Sequence, residues 1–484
     1  MNHKINNHRR RDFLKKSTMA TAAIGLGSNS FGWAKAKDIS GKLNREKKTN
    51  RPFIGVQLGK GMHEKDSLPQ LFDEMQDRAA INTIIYFFSA KDARYGDNYH
   101  GGTQFRRDQA DLDQNGRDLV DLMQEAASRR DMDIYMGGGE MFWANCLQNH
   151  AEASWIDCFG NPYNFACVNK PDWRKFQTAL HNDLFEQHPY LKGFLFMHER
   201  SASFMPIFKP DTWRGDYNPS CFCEHCRAKG ESRGIDAEKA AKGFRKMVSL
   251  FKDRKADLIR GGIMVGFWRI LMEYPETLAW EKLQWDSFHD YRLAIVKAIK
   301  ESKPNAVIGY HFQHHGLYGS LDYRAGDDPK LATEFADWVK PSLYAGASGQ
   351  RYFDLLKKAQ QSYLSDFDLE TAHRVLSGWF NRSPENGWEL LENESLAQSP
   401  FSPDWVRSEA KRIKESVSPL AMNAGLGIGV PGGEDVETPE YIAACTQACF
   451  DAGTDGIMLS RHYHEMRPEL VKAAGEVIKK QYQI

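Results

Sequence analysis

The chain has 484 residues, with 64 basic and 64 acidic side chains, so its formal net charge is zero. Hydrophobic residues make up 41 % and charged residues 26 % of the chain, fractions that are typical of a soluble globular protein. This balance excludes a highly charged disordered chain and argues against a dedicated nucleic-acid-binding protein. Beyond residue 36 no run of about 18 uncharged apolar residues occurs, so no membrane span is predicted.

The first 36 residues have the features of an export signal. A basic segment, 9–16, precedes an apolar stretch, 19–27, and a small-residue cleavage site, 34–36. Residues 10–15 are similar to the RRxFLK pattern of twin-arginine (Tat) leaders. We therefore expect residues 1–36 to be a Tat signal peptide and the mature protein to lie in the periplasm. Their removal takes away seven basic residues and one acidic residue, which leaves a net formal charge of −6.

Short apolar runs alternate with amphipathic segments along residues 37–484. Eight runs are predicted strands, at 53–58, 82–88, 133–137, 193–197, 306–311, 336–344, 421–428 and 456–460. Apolar residues at three- and four-residue spacing predict helices between them, as at 118–128, 173–186, 286–301, 404–417 and 439–452. This alternation predicts an α/β fold, a (β/α)8 TIM barrel forming one catalytic domain over residues 37–484. An open doubly wound sheet is the alternative, but no glycine-rich phosphate turn follows the first strand.

Two long segments interrupt this alternation. Residues 227–285 follow the fourth predicted strand and are mostly helical in pattern, so we expect a helical insertion that caps the active face. Residues 263–268 within that insertion are a candidate for an additional strand. Residues 346–402 are rich in Trp, Asn and Ser and are expected to form part of the rim.

Polar and aromatic side chains follow several of the predicted strands. In such barrels the active site lies at the carboxyl ends of the strands, so the residues just past each strand are the candidates for the site. The candidate substrate-binding residues are Glu140 and Trp143 after the third strand, His198 and Arg200 after the fourth, His314 after the fifth, Tyr344 at the end of the sixth, and Arg461, His462 and His464 after the eighth.

Glu199 is the strongest single candidate for a catalytic residue. It lies two residues past an apolar strand, and a partly desolvated carboxyl at the mouth of a barrel can act as a general acid. Glycoside hydrolysis requires a second carboxylate across the scissile bond. Glu434, after the seventh strand, is the first choice for that role because it would lie across the barrel from the fourth strand. Asp435, Glu140 and Glu465 remain open as alternatives.

A cluster of cysteines predicts a metal site. Cys221, Cys223 and Cys226 form a CxCxxC run, which can turn three thiolates towards one ion. The fourth ligand must come from elsewhere, and Cys167 is the first choice, followed by Cys158 or His225. The motif contains no general base and no open coordination position, so the predicted cofactor is a structural zinc ion. Reduced or disulfide-paired cysteines are the alternative interpretation. Cys445 and Cys449 are expected to be core residues of a helix.

Together, these residues resemble the family 42 β-galactosidases and the hypothetical glycosyl hydrolase families related to them. The stretch 218–227, Asn-Pro-Ser-Cys-Phe-Cys-Glu-His-Cys-Arg, is the most specific part of the resemblance, which extends from residue 51 to about 479. The resemblance implies that Glu199 is the acid/base, that a carboxylate after the seventh strand is the nucleophile, and that the reaction retains anomeric configuration. It also implies zinc held by Cys167 together with the CxCxxC run. The sequence departs from the family at His198, where the family has Asn.

The expected function is hydrolysis of a glycosidic bond in an oligosaccharide or polysaccharide. Arg200 and Arg461 leave a uronic or sulfated sugar open as the substrate, and the oligomeric state is open as well. One alternative is a non-catalytic carbohydrate-binding barrel. Another is a metal-dependent hydrolase, suggested by His311, His314 and His315 and by the pair His462 and His464.

Overall fold

The eight predicted strands form one closed parallel β-barrel. The computed structural model describes residues 51–59, 67–87, 118–139, 151–198, 220–253, 255, 257–258, 260–312, 325–326, 328–379, 399–433 and 435–484. Its strands, numbered in chain order, are β1 (Phe53–Leu58), β2 (Thr83–Phe87), β3 (Asp133–Gly139), β4 (Ser154–Ile156), β5 (Pro162–Ala166), β6 (Gly193–His198), β7 (Val307–Phe312), β8 (Trp338–Leu343), β9 (Ala421–Gly427) and β10 (Gly456–His462). The barrel order is β1-β10-β9-β8-β7-β6-β3-β2, and β4 and β5 form a separate antiparallel hairpin. The predicted (β/α)8 barrel is therefore confirmed.

The interior of the barrel is filled by large side chains from alternate strand positions. Ile85, Tyr135, Leu195, Trp338 and Met458 form a buried cluster that is separate from the larger core between the barrel and its helices. The Trp338 ring lies 5.9 Å from the Tyr135 ring, edge to face. Because side chains alternate between the two faces of a strand, the residues two positions further along also face inward, towards the carboxyl ends.

The helices surround the barrel, and several begin at residues that typically cap helices. In the described part of the chain they are α1 (Leu68–Ala79), α2 (Leu119–Ser128), α3 (Pro171–Gln187), α4 (Glu224–Ser232), α5 (Ala237–Phe251), α6 (Ile263–Glu273), α7 (Glu276–Ser302), α8 (Ser348–Gln361), α9 (Leu369–Trp379), α10 (Pro403–Val417), α11 (Pro439–Asp451) and α12 (Pro468–Tyr482). Several start with a side-chain cap, and Ser402 and Thr438 each accept a hydrogen bond from a backbone N–H of the first turn. A proline follows each of these two caps, where a missing N–H costs nothing.

The predicted insertion, 227–285, is mostly helical in its described residues. It contains most of α4, all of α5 and α6, and the beginning of α7. The alternative of an additional strand at 263–268 is wrong, because these residues form the first half of α6. Ile263, Gly266, Phe267, Ile270 and Leu271 are the buried residues of α6, a spacing that matches a helical face.

The segment 346–402 contributes α8 and α9, and residues 380–398 lie outside the described residues. The predicted signal peptide, 1–36, also lies outside them. Among the helices that are described, none is long and apolar enough to cross a membrane.

Candidate active site and metal centre

The predicted active face contains residues that the structure describes and residues that it does not. Glu140, Trp143, Arg200, His314 and Glu434 lie outside the described residues, as do Glu199 and His315. His198 is the last residue of β6, and its side chain is likewise not described. The described part of the face is therefore formed by the ends of β1, β2, β7, β8, β9 and β10.

The order of strands determines which ends face each other. Around the eight-stranded barrel, β9 lies three strands from β6, and β10 lies four strands away. The strand directly opposite β6 is therefore β10, which carries Arg461, His462 and Glu465 in and just after its end.

The end of β10 contains a bulge with an unusual backbone conformation. Val56 of β1 pairs with Leu459, but the next residue of β1 pairs with His462, so Ser460 and Arg461 are bypassed. Arg461 has a φ of 142°, a value that side-chain-bearing residues rarely adopt. Such a conformation costs about 1–3 kcal/mol and persists where the surroundings impose it, often at functional sites. Here it redirects the chain and sets the position of His462.

His462 is held between neighbouring rings and the end of β1. A side chain at Gly59 would clash, because its Cβ would lie 2.9 Å from Nδ1 of His462. The Phe87 ring meets the imidazole edge to face at 6.1 Å, and the His464 ring stacks on it at 5.8 Å. Burial lowers the pKa of His462; Glu465 opposes this shift, whereas His464 and Arg461 add to it. The neutral imidazole is therefore favoured, and it can both donate and accept a hydrogen bond.

Glu465, one of the alternative nucleophiles, is already engaged. One of its oxygens lies 2.9 Å from Nε of Arg461 and also accepts a hydrogen bond from the backbone N–H of His462. Asp435, another alternative, is exposed. The neighbouring Glu437, which sequence reasoning missed, is buried and accepts a hydrogen bond from Gly429 N–H at 2.7 Å, so it supports the loop after β9.

Two inward-facing residues of β7 and β8 carry buried polar groups. Nδ1 of His311 lies 2.8 Å from the carbonyl oxygen of Lys340. Because a carbonyl can only accept, Nδ1 carries the proton, and Nε2 then faces Ser342 Oγ at 3.5 Å. His311 and Ser342 are completely buried, so this contact lies in the interior of the barrel.

Lys340, which sequence reasoning also missed, is completely buried inside the barrel. Its ammonium group donates a hydrogen bond to the Tyr344 hydroxyl at 3.1 Å. The signal in the sequence is the inward phase of β8, since Trp338 is an interior residue and Lys340 comes two positions later. Tyr344, a predicted substrate-binding residue, lies just beyond the end of β8 and is therefore at the carboxyl end of the barrel.

Four buried cysteines converge to form a potential metal centre. The Sγ atoms of Cys167, Cys221, Cys223 and Cys226 all lie within 4.8 Å of one another, and the thiols are free. Sγ of Cys167 is 3.5 Å from that of Cys226 and 3.7 Å from that of Cys223. A tetrahedral zinc site with Zn–S bonds of about 2.3 Å places its sulfurs about 3.8 Å apart, so the spacing fits zinc.

Local structure explains why these cysteines meet. The hairpin β4–β5 leads directly to Cys167, while Cys223 caps α4 and Cys226 lies in its first turn. The backbone N–H of Phe222 donates to Ile156 of β4 at 2.6 Å, which joins the two segments. The Phe222 ring also stacks on Trp280 of α7, with ring centroids 4.6 Å apart.

Burial and mutual contacts shift the protonation of the clustered thiols in different directions. Burial raises the pKa of the Cys167 and Cys221 thiols, whereas hydrogen bonds from the three neighbouring thiols lower that of Cys223. Asn169 donates a hydrogen bond to Cys226 Sγ at 3.3 Å, an outer contact of the kind that orients a metal ligand.

The other proposed fourth ligands lie outside this cluster. Cys158 is buried elsewhere, and burial raises the pKa of its thiol to about 12. His225 is partly exposed and lies 3.4 Å from Glu224. Cys445 and Cys449 are buried core residues of α11, as expected. In the described part of the chain, the four-cysteine cluster is the one group of three or more His, Cys, Asp or Glu side chains close enough to share an ion.

Among known proteins, several solved structures are similar to this chain. No family model and no curated protein sequence matches this chain. A β-galactosidase from Rahnella sp. has a TM-score of 0.51 at 11 % identity, covering 91 % of this chain and 57 % of its own. A β-galactosidase from Halorubrum lacusprofundi has a TM-score of 0.52 at 11 % identity, covering 89 % of this chain and 58 % of its own.

A third β-galactosidase, from a psychrophilic Marinomonas, has a TM-score of 0.52 at 9 % identity, covering 89 % of this chain and 59 % of its own. This chain thus spans less than two thirds of the length of each of the three enzymes. At these identities the likeness concerns architecture: the chain is a (β/α)8 TIM-barrel protein with the same fold as these β-galactosidases.

Proposed function

We propose that this protein is a glycoside hydrolase that cleaves a glycosidic bond in an oligosaccharide or polysaccharide. The observation that carries the proposal is the end of the fourth barrel strand. β6 ends at His198, and Glu199 is the next residue in the sequence; active sites of such barrels lie at the carboxyl ends of the strands. The fold shared with three β-galactosidases supports the same reaction class.

In the proposed mechanism, two carboxyl groups act on opposite sides of the scissile bond. Glu199 protonates the leaving oxygen, and in a retaining reaction it then deprotonates the attacking water. Glu434, in the loop that follows β9, is the proposed nucleophile. Retention requires the two carboxyl groups to be about 5–5.5 Å apart. Glu465 is a poorer nucleophile candidate because Arg461 already pairs with it.

Side chains around this pair are proposed to hold the sugar. The neutral imidazole of His462 suits hydroxyl groups because it offers one donor and one acceptor. Tyr344, His464, Arg461, His314, His198, Arg200 and Glu140 supply further polar groups, and Trp143 supplies an aromatic face for stacking.

The role of Glu199 is tested by its dependence on the leaving group. On glycosides with poor leaving groups, Glu199→Gln should lower kcat/KM by about 10²–10⁴-fold, the usual contribution of general acid–base catalysis. Dinitrophenyl glycosides need no protonation of the leaving group, so bond cleavage itself should be affected far less. Glu415→Gln, an exposed glutamate on α10, is the matched control and should behave like the wild type. Wild-type turnover of poor-leaving-group substrates by Glu199→Gln would exclude this role.

We also propose that the four-cysteine cluster binds a structural zinc ion. The sulfur spacing and the free thiols support this proposal. Such an ion would tie the β4–β5 hairpin to α4, and no step of the proposed reaction requires it.

We propose further that the protein is exported to the periplasm by the Tat pathway. Replacing both Arg10 and Arg11 with Lys should retain the uncleaved protein in the cytoplasm, as fractionation and immunoblotting would detect. Arg9→Lys, outside the RRxFLK pattern, should leave export unchanged. Normal export of the double variant would contradict the proposal.

A further inference from the structure

Lys229 of α4 is a partly buried cation whose hydrogen-bond donors all have acceptors. An ammonium group carries three N–H donors and no acceptor. Nζ of Lys229 lies 3.2 Å from Oδ1 of Asn169, just beyond the β4–β5 hairpin. The same nitrogen lies 3.0 Å from Oγ of Ser287 and 3.0 Å from Oδ2 of Asp290, both on α7. Acceptors from two separate parts of the chain therefore hold the ammonium group in one position.

Lys229 determines which way the Asn169 amide points. The two ends of a side-chain amide have nearly the same shape, but an ammonium group can only donate, so the end that faces Lys229 must be the oxygen. The NH2 group then lies on the other side of the amide, where Nδ2 is 3.3 Å from Sγ of Cys226. The amide thus presents to this sulfur a group that donates and cannot accept.

The two residues connect the four-cysteine cluster to a third element. Asn169 comes two residues after Cys167, and Lys229 follows Cys226 by three positions on α4, which places these two on the same side of the helix. The contacts run from the sulfur of Cys226 through Asn169 and Lys229 to α7. The link between the hairpin and α4 at the cluster therefore continues into α7.

A metal ion in this cluster would benefit from such a donor. A divalent ion held by four thiolates carries a net negative charge, and all four cysteines are buried. Burying a charge is costly unless polar groups compensate for it, and a donor directed at a ligand sulfur does so. Because Lys229 already fixes the amide, Asn169 need not reorient when the ion binds.

We propose that Lys229 is a positioning residue of the metal centre: it holds the Asn169 amide as a fixed donor to Cys226 and so strengthens metal binding. This inference rests on the proposed zinc site and extends it to two residues that are not ligands. The alternative is that Lys229 only joins α4 to α7 through Asp290.

The test measures the zinc affinity of the full chain under reducing conditions, by competition with a chromophoric chelator, so it requires no turnover. Asn169→Asp replaces the NH2 group with an oxygen of similar size that is negatively charged and can only accept. It should weaken zinc binding by about 10–100-fold, the usual range for outer contacts of metal ligands. Lys229→Met, which leaves the amide free to rotate, should weaken zinc binding by a smaller factor.

Cobalt(II) in place of zinc provides a readout that a purely structural role would not change. Absorption by charge transfer from thiolate to cobalt moves to lower energy when a thiolate loses a hydrogen bond, because the sulfur electrons are then less stabilised. Asn169→Asp should show this shift, and Lys229→Met should show it to a smaller extent.

Two matched controls make the same chemical changes away from the cluster. Asn182→Asp alters a partly buried asparagine of α3 whose side chain accepts a hydrogen bond from Ser302. Lys239→Met breaks an ion pair between α5 and α7, in which Nζ lies 3.4 Å from Glu276. Both controls should keep the zinc affinity and the cobalt spectrum of the wild type.

Three results would overturn the inference. Unchanged zinc affinity and cobalt absorption in Asn169→Asp and Lys229→Met would show that the amide does not act on the metal centre. Equal losses in the controls would show that the effect is not specific to these contacts. A wild type that binds no metal would contradict the zinc proposal and this inference with it, so the two failures are distinguishable.

Discussion

Burial controls the protonation of individual side chains in this barrel. His181 of α3 illustrates it: the ring is buried against Phe194 at 4.8 Å between ring centroids, and its Nδ1 lies 2.7 Å from the carbonyl oxygen of Gln177. Burial lowers the pKa of His181 to about 4, although the bond to Gln177 opposes the shift. The same cause acts on His462 at the carboxyl end of β10, where a neutral imidazole would suit the proposed binding of sugar hydroxyls.

His181 should make the stability of the protein depend on pH. Below pH 6.5 the unfolded chain takes up a proton at this residue, whereas the folded protein does so only near pH 4. The stabilisation is therefore complete above pH 6.5 and decreases as the pH falls towards 4, by up to about 3 kcal/mol. His181→Phe, which keeps a ring against Phe194, should lack this component of the pH dependence.

Urea unfolding of the wild type and of His181→Phe at pH 7.5, 6, 5 and 4 measures the effect. The free energy of unfolding of the wild type should fall relative to that of the variant as the pH decreases. Parallel pH curves for the two proteins would show that His181 is not the source.

Where two helices pack closely, a glycine at the contact makes the close approach possible. α5 passes α7 at Gly243, where an added Cβ would lie 1.9 Å from Oγ1 of Thr277. Gly378, in α9, has no described residue within 4 Å of such a Cβ. These two helical glycines therefore allow a matched comparison of packing with helix propensity.

Gly243→Ala should destabilise the protein by about 1–3 kcal/mol, because the two helices would have to separate. Gly378→Ala should stabilise it by up to about 1 kcal/mol, since alanine is the better helix former. Urea unfolding measures both changes. Equal effects of the two substitutions would show that the α5–α7 contact is less tight than the structure has it.

The four-cysteine cluster joins elements that are distant in the chain. We expect about one zinc ion per chain, measured by plasma mass spectrometry of the purified protein. Cys223→Ser should lose the zinc and lower the melting temperature, because the β4–β5 hairpin would no longer be tied to α4. Cys158→Ser, a buried cysteine outside the cluster, should keep the zinc. A stable wild-type protein without zinc would contradict the proposal.

Strands and helices could be predicted from the sequence where their apolar pattern was clear. All eight barrel strands are within two residues of their predicted ends, because each is an apolar run bounded by polar or glycine residues. Residues 263–268 were ambiguous, since a short apolar run fits a strand as well as a helix. The β4–β5 hairpin was missed because β4 has only three residues and carries no periodic pattern of its own.

For the whole molecule, the barrel could be predicted from the alternation of strands and helices, and the group of Cys221, Cys223 and Cys226 from its spacing. Cys167 was predicted as the fourth member, and it lies with the other three. Lys340 and Glu437 were missed because their importance comes from burial, which depends on the closed barrel and not on neighbouring residues. The partners of Glu199 also depend on how loops from different strands meet, and the sequence left four carboxylates open.

The central claim is that this barrel hydrolyses glycosidic bonds with Glu199. The most direct measurement incubates the wild type, Glu199→Gln and Glu415→Gln with neutral, uronic and sulfated oligosaccharides and detects released sugars by mass spectrometry. We expect release by the wild type and by Glu415→Gln, but not by Glu199→Gln. Equal release by Glu199→Gln would contradict the assignment of Glu199, and binding of the sugars without release by any of the three proteins would indicate a carbohydrate-binding barrel instead.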